Sequence, residues 1–216
     1  MRSILTLSVL MLLIPMLPIP PTVSAQDGLY APSRPEDAAL VRVANLSGRE
    51  ESRVIDAGPV RFDPLDPLSV GAYRVVPVGV YILGDPESTV FTPEPGAFVT
   101  IITGHDQSDP GRVHLFLDQP HEDPARAQLV LYNLTDRTLS LVDAPSGAEV
   151  FRQVPPEQSR ALAVNAIPVE LEVRDEETIH ETVTLRLTRG DSFSLVATIQ
   201  DDEVVVVAAE AAVQTD

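Results

Sequence analysis

Gly190-Asp191-Ser192 is the segment of this sequence that comes closest to a catalytic motif. A Gly-Asp-Ser turn carries the nucleophile in one large class of esterases and acetyltransferases, where the serine gives its proton to a histidine further along the chain. No histidine follows His180, so Ser192 has no base in the expected order. An internal repeat places Pro95-Gly96-Ala97 at the matching turn of another copy. The segment is therefore predicted to be a turn entering a strand.

The remaining candidates are weaker. His105, His114, His121 and His180 do not fall at the two- to four-residue spacings that gather imidazoles around a metal. His105-Asp106 and His121-Glu122-Asp123 read as exposed polar loops. Asp175-Glu176-Glu177 and Asp201-Asp202-Glu203 lack the staggered oxygen ligands and glycine of a calcium loop and read as solvated turns, the second closing a hairpin. The absence of cysteine removes disulfides, thiolate metal sites and thiol nucleophiles. A sugar-stacking platform is not expected, because there is no Trp and the four tyrosines are scattered, with Tyr73 and Tyr81 inside strand patterns as core rings. Asn45-Leu46-Ser47 and Asn133-Leu134-Thr135 match a glycosylation acceptor, but both sit where a strand gives way to a turn that asparagine favours. The sequence thus names no catalytic residue, metal ligand or cofactor, and its binding residues stay unknown.

The elements that hold these residues are strands. Val169, Leu171 and Val173 alternate with charged residues, as do Val183, Leu185 and Leu187 with polar ones. Further strand-like runs lie at 40–46, 52–57, 72–77, 78–83, 97–103, 113–117, 129–134, 139–142, 161–164, 193–199 and 204–208, with Pro and Gly between them. Val204-Val205-Val206-Val207 reads as a core strand rather than an exposed edge. Such spacing predicts an all-β fold of antiparallel sandwiches.

The chain also repeats itself. Leu40 to Arg49 recurs as Gln128 to Arg137, 88 residues later, and Pro95 to Ile101 answers Gly190 to Val196 at an offset of 95. The expected organisation is two tandem antiparallel β-sandwich domains at 26–117 and 127–216, joined by a short polar, Pro-containing linker at 118–126. Each half is expected to fold by itself. Residues 1–25 read as a cleaved signal peptide: Arg2 precedes the apolar run Ile4 to Leu17, and Val23-Ser24-Ala25 supplies small residues at the cleavage site. Prolines 15, 18, 20 and 21 argue against a spanning helix.

With 32 acidic residues against 15 basic, all of them arginine, the net charge is −17, which excludes nucleic acid and anionic lipid as partners. The 44% hydrophobic content is too high for a solvated acidic tail.

Gly28-Leu29-Tyr30-Ala31-Pro32 after the signal, Val41 to Ser47, Val76-Pro77-Val78-Gly79-Val80-Tyr81 and Leu129 to Leu134 resemble, in order and spacing, the AlgF family of periplasmic accessory proteins of alginate O-acetylation. The resemblance implies a periplasmic, non-catalytic component made of two β-sandwich domains. Its implied partners are membrane-bound and periplasmic acetyltransferases of the AlgI, AlgJ and AlgX type. Asn45, Gly79 and Tyr81 match the family pattern as a strand-end turn, a tight turn and a core ring. Two functions are carried forward: an adaptor linking acetyltransferase components, and a carbohydrate-binding module contacting the polyuronate directly. The second requires an arginine cluster or bridging Ca²⁺ to overcome like-charge repulsion, and the arginines are spread singly along the sequence.

Overall fold

The computed structural model describes residues 36–48, 55–57, 59–83, 89–106, 108–109, 112–176 and 178–214. The expected signal peptide, Gly28 to Pro32 and the start of the 52–57 run lie outside them. The first module contributes β1 (Ala38–Asn45), β2 (Ile55–Ala57), β3 (Val60–Phe62), β4 (Ser69–Val70), β5 (Arg74–Pro77), β6 (Tyr81–Leu83), β7 (Thr89–Phe91), β8 (Phe98–Thr103) and β9 (His114–Asp118). The second contributes β10 (Ala127–Asn133), β11 (Leu139–Asp143), β12 (Glu149–Val154), β13 (Gln158–Val164), β14 (Pro168–Arg174), β15 (Ile179–Arg186), β16 (Ser192–Gln200) and β17 (Glu203–Glu210). The described residues form no α-helix.

In the first module the main sheet runs β4-β1-β8-β9, with β5 also paired to β1, and the hairpins β2–β3 and β6–β7 accompany it. Val41, Val43 and Ile101 of the sheet pack against Phe62, Leu83 and Phe91 of the hairpin strands. In the second, the sheets β13-β10-β16-β17 and β12-β11-β14-β15 enclose a core of Leu129, Leu131, Leu141, Phe151, Leu171 and Leu195. The all-β sandwich class agrees with the periodicity.

One pair in each module departs from the antiparallel pattern: β1 with β8 and β10 with β16 run parallel. The strands between the members of each pair supply the long crossover that parallel neighbours need. These pairs also correct the repeat alignment. Leu40 faces Phe98 and Gln128 faces Ser192, so Phe98 corresponds to Ser192 and not to Phe193. The one-residue difference matters because it decides which side chains share a face: Thr100 is the counterpart of Ser194.

All residues of β1 and β10 are buried. Alternate residues of each strand fill that module's own core, while Ala44 and Leu46 of one and Val130, Tyr132 and Leu134 of the other meet in a third cluster with Ile102, Phe116 and Val196. The two central sheets therefore stack face to face, and strands covered on both sides read as near-continuous apolar runs. Two further ties cross this seam. Gln200 Nε2 donates to the Leu46 carbonyl at 2.7 Å. Tyr73 exchanges backbone bonds with Ala212 and Gln214 at 2.8 Å each.

The stretch read as a linker starts differently from expectation. Asp118 is the last residue of β9 and is buried, because three hydroxyls from neighbouring strands need its carboxylate. Of the remainder, Gln119, Glu122, Pro124, Ala125 and Arg126 are exposed. The valine run of β17 lies at a sheet edge, yet Val204 and Val206 pack into the second core and Val207 into the seam. Asp201 and Asp202, both at positive φ, close the β16–β17 hairpin that the sequence suggested.

Candidate interaction site at the module seam

Arg42 sits in the middle of β1 on the face that meets the second module. Its Nε donates to Thr100 Oγ1 at 2.9 Å, and Nη2 donates to Tyr132 Oη at 2.9 Å and Ser194 Oγ at 2.7 Å. The two repeat-equivalent hydroxyls, Thr100 and Ser194, thus hold one guanidinium between them. Nη1 has no hydrogen-bond partner, but the guanidinium carbon lies 4.6 Å from the Tyr73 ring centroid, where the ring face attracts a cation.

The balancing charge is Asp118, which Arg42 reaches through hydroxyls. Tyr132 donates to Oδ1 at 2.6 Å, while Thr100 and Tyr73 donate to Oδ2 at 2.6 and 2.8 Å. Thr100 and Tyr132 each accept from the cation and donate to the anion through a single oxygen, which a hydroxyl can do and an ionised carboxylate cannot. Burial by itself disfavours the Arg42 charge, but Tyr132, Tyr73 and Asp118 more than offset it and hold the pKa above its ordinary value. Burial raises the pKa of the Asp118 carboxyl from its ordinary value, against the pull of Arg42 and the hydroxyl donors. Burial, followed by the Asp118 charge, pushes the Tyr132 phenol up to about 12, and burial raises Tyr73 well above its usual value. This closed network clasps the modules together.

The residues singled out by sequence fall elsewhere. Ser192 opens β16 after Gly190, which has φ 84°. Its hydroxyl donates to Gln128 Oε1 at 2.8 Å, and Gln128 Nε2 in turn donates to the Gln119 carbonyl at 3.0 Å. His121 lines the same small cleft of about 80 Å³, but its Nε2 donates to the Arg126 carbonyl at 3.0 Å. Neither side chain is arranged as nucleophile or base.

His105 is a correction to the exposed-loop reading: both ring nitrogens are buried without hydrogen-bond partners, and its ring stands edge-on to His114 at 5.9 Å. Burial lowers both pKa values. Asp106 caps its own loop, accepting from the Ser108 hydroxyl at 2.6 Å, and that bond holds its pKa low. His180 pairs with Asp175 at 2.9 Å.

Asn45 and Asn133 are strand-end brackets. Asn45 Nδ2 donates to the carbonyls of Leu65 and Asp66, and Asn133 Nδ2 to those of Arg137 and Val154. Their Oδ1 atoms accept from the backbone of Ser47 and Thr135. Tyr73 is a buried ring as expected, whereas Tyr81 is half-buried, tilted against Phe91 and donating to the Pro77 carbonyl.

An open groove of about 510 Å³ lies beside the clasp, with Asp118 in its wall. Strands β9, β12 and β13 line it, and each is the terminal strand of its sheet, paired on one side only among the described residues. Leu117 and Leu162 are 73% and 46% exposed there. Arg152 and Arg160 also line it; Arg152 meets Glu149 at 2.8 Å, and Arg160 has no ion-pair partner among the described residues. Sequence reading missed this pair because the two arginines lie on successive strands, and only the turn between β12 and β13 brings them to one groove.

The architecture defines an all-β protein of two stacked sandwich modules with open strand edges at their seam. The chain belongs to the AlgF family, described as "Alginate O-acetyl transferase AlgF", which it matches over residues 16–194. It is 24% identical over 181 residues to "Alginate biosynthesis protein AlgF" of Pseudomonas syringae pv. tomato, covering 82% of this chain and 78% of that protein. The protein of the same name from Azotobacter vinelandii is 26% identical over 174 residues, covering 79% and 76%. A solved structure of the C-terminal domain of AlgF from P. aeruginosa is similar over 40% of this chain and 98% of its own, at 22% identity and a TM-score of 0.37. No helix among the described residues is long and apolar enough to cross a membrane.

Proposed function

We propose that this protein is a non-catalytic periplasmic adaptor of alginate O-acetylation, holding acetyltransferase components of the AlgI, AlgJ and AlgX type together while the polymer is modified. Family membership and the alginate-biosynthesis names of its relatives support the process. The observation that carries the adaptor reading is the set of three unpaired strand edges around one groove, presented by two modules fused through a common seam. Strand edges bind extended chains through the backbone. The tethering of Ser192 to an amide oxygen supports the absence of its own chemistry.

A second reading, direct contact with the polyuronate, is favoured by Arg152 and Arg160 in the groove. A net charge of −17 opposes the approach of any polyanion at long range. Pull-down of purified AlgJ- and AlgX-type acetyltransferases, run beside titration with oligomannuronate with and without Ca²⁺, separates the two. Capture of an acetyltransferase with a flat polymer titration is expected; tight polymer binding without a protein partner would replace the adaptor by the binding module. Acetyl-ester hydrolysis should match buffer, and an activity lost in Ser192→Ala would overturn the non-catalytic reading.

A further inference from the structure

We propose that the groove between β9, β12 and β13 receives an extended, acidic polypeptide segment that adds a strand to one of these edges. The proposal rests on the adaptor reading and gives it a surface and a partner chemistry. Three features of the groove select that occupant. Its walls are strands with one side of the backbone unpaired, and another polypeptide can continue their hydrogen-bond ladders. Its side chains combine exposed leucines with arginines: Leu117 and Leu162 stand beside Arg160 and Arg152. Arg160 and Leu162 are two residues apart on β13 and share a face, so a strand that carries apolar and acidic residues in turn at every second position covers the first and neutralises the second.

The charge is the third feature. On a chain of −17, Arg160, which has no ion-pair partner among the described residues, stands beside Arg152, which has one, so the groove opposes an acidic partner less than the chain as a whole does. A polyuronate satisfies the arginines but has no apolar side chains for the leucines, and the groove offers no exposed aromatic ring for a sugar face.

The test uses the full chain and a fluorescent eight-residue peptide with valine and glutamate in turn at every second position and threonine between them, beside a counterpart with lysine for glutamate. Saturable anisotropy change with the glutamate peptide only is expected, weakened about tenfold or more by Arg152→Glu with Arg160→Glu. Leu162→Asp should weaken it as well, and Ile82→Asp should leave it unchanged. All these side chains are exposed, and thermal melts verify that each variant is folded. A flat titration with the glutamate peptide, equal binding of both peptides, or displacement of the peptide by oligomannuronate at lower concentration than by unlabelled peptide would each overturn the assignment. So would self-association of the chain that the arginine reversals abolish, since the occupant would then be a second copy. Failure of the peptide with successful acetyltransferase capture removes the groove and leaves the adaptor; the converse removes the adaptor reading.

Discussion

Arg42 is the one charged residue in the eight-residue run of β1, and it is nearly inaccessible to water. Removing one member of a buried charge pair leaves the other without compensation, at a cost of about 3–5 kcal/mol. Arg42→Ala should therefore lower unfolding stability by about that amount in a urea titration, while Arg160→Ala, on an exposed side chain, should change it by less than about 0.5 kcal/mol. The phenols give the clasp a pH signature. Tyr132 titrates near 10.0 when unfolded and about 12 when folded, so its contribution is complete below pH 10 and is lost as pH rises toward 12. Tyr73 shifts in the same direction. Tyr132→Phe should reduce the loss of stability between pH 10 and 12, measured by urea titrations at each pH. The strand around Arg42 was legible in the sequence, but its role was not. A lone charge in an apolar run becomes a signal only once both faces of the strand are known to be covered, and periodicity cannot show that.

Elements with strong alternation or repetition were readable: β1, β10, β14, β15 and the β16–β17 hairpin follow from period, copy number and turn residues. The strands β3, β4, β7 and β12 were missed. Three of these span only two or three residues, and β12 carries two exposed polar residues inside it. Partner direction was also hidden, since a parallel and an antiparallel neighbour place the same side chains inward. Two glycines show how tertiary context sets the cost of one backbone conformation. Gly104 and Gly147 have φ of 70° and 69°. A Cβ on Gly147 would meet nothing within 4 Å, whereas one on Gly104 would lie 2.7 Å from the Ser47 nitrogen and 2.9 Å from its Cβ. Gly147→Ala should cost about 1–2 kcal/mol from the left-handed backbone alone. Gly104→Ala should cost more than that, because backbone of the Asn45–Ser47 turn must move; thermal denaturation of the pair reads the difference.

At the scale of the whole molecule, the seam changes what division of the chain would do. Separate halves would expose Val130, Tyr132, Leu134, Ala44, Leu46 and Ile102 and divide Arg42 from two of its hydroxyl partners. Proteolysis within Gln119 to Arg126 should therefore yield a nicked protein whose fragments co-elute in gel filtration and unfold in one transition. Two fragments eluting apart and each retaining a cooperative melt would show that the modules are independent. The duplication itself was visible in the sequence, whereas its face-to-face closure was not, since a repeat gives the units and says nothing of how they meet.

The clasp has only one guanidinium, because Val130 stands in the second copy where Arg42 stands in the first. This asymmetry bears on which modules can meet when many copies of the chain fold side by side. Two first modules joined through this face would bury two Arg42–Asp118 pairs, each without the Tyr132 and Ser194 hydroxyls that Arg42 uses, and two second modules would bury those hydroxyls with no guanidinium to meet them. Only the unlike pair brings the guanidinium and those hydroxyls together, and the unlike module nearest to any first module is the one tethered behind it in the same chain. A single inequality between repeats therefore guards a duplicated protein against pairing like halves with those of its neighbours.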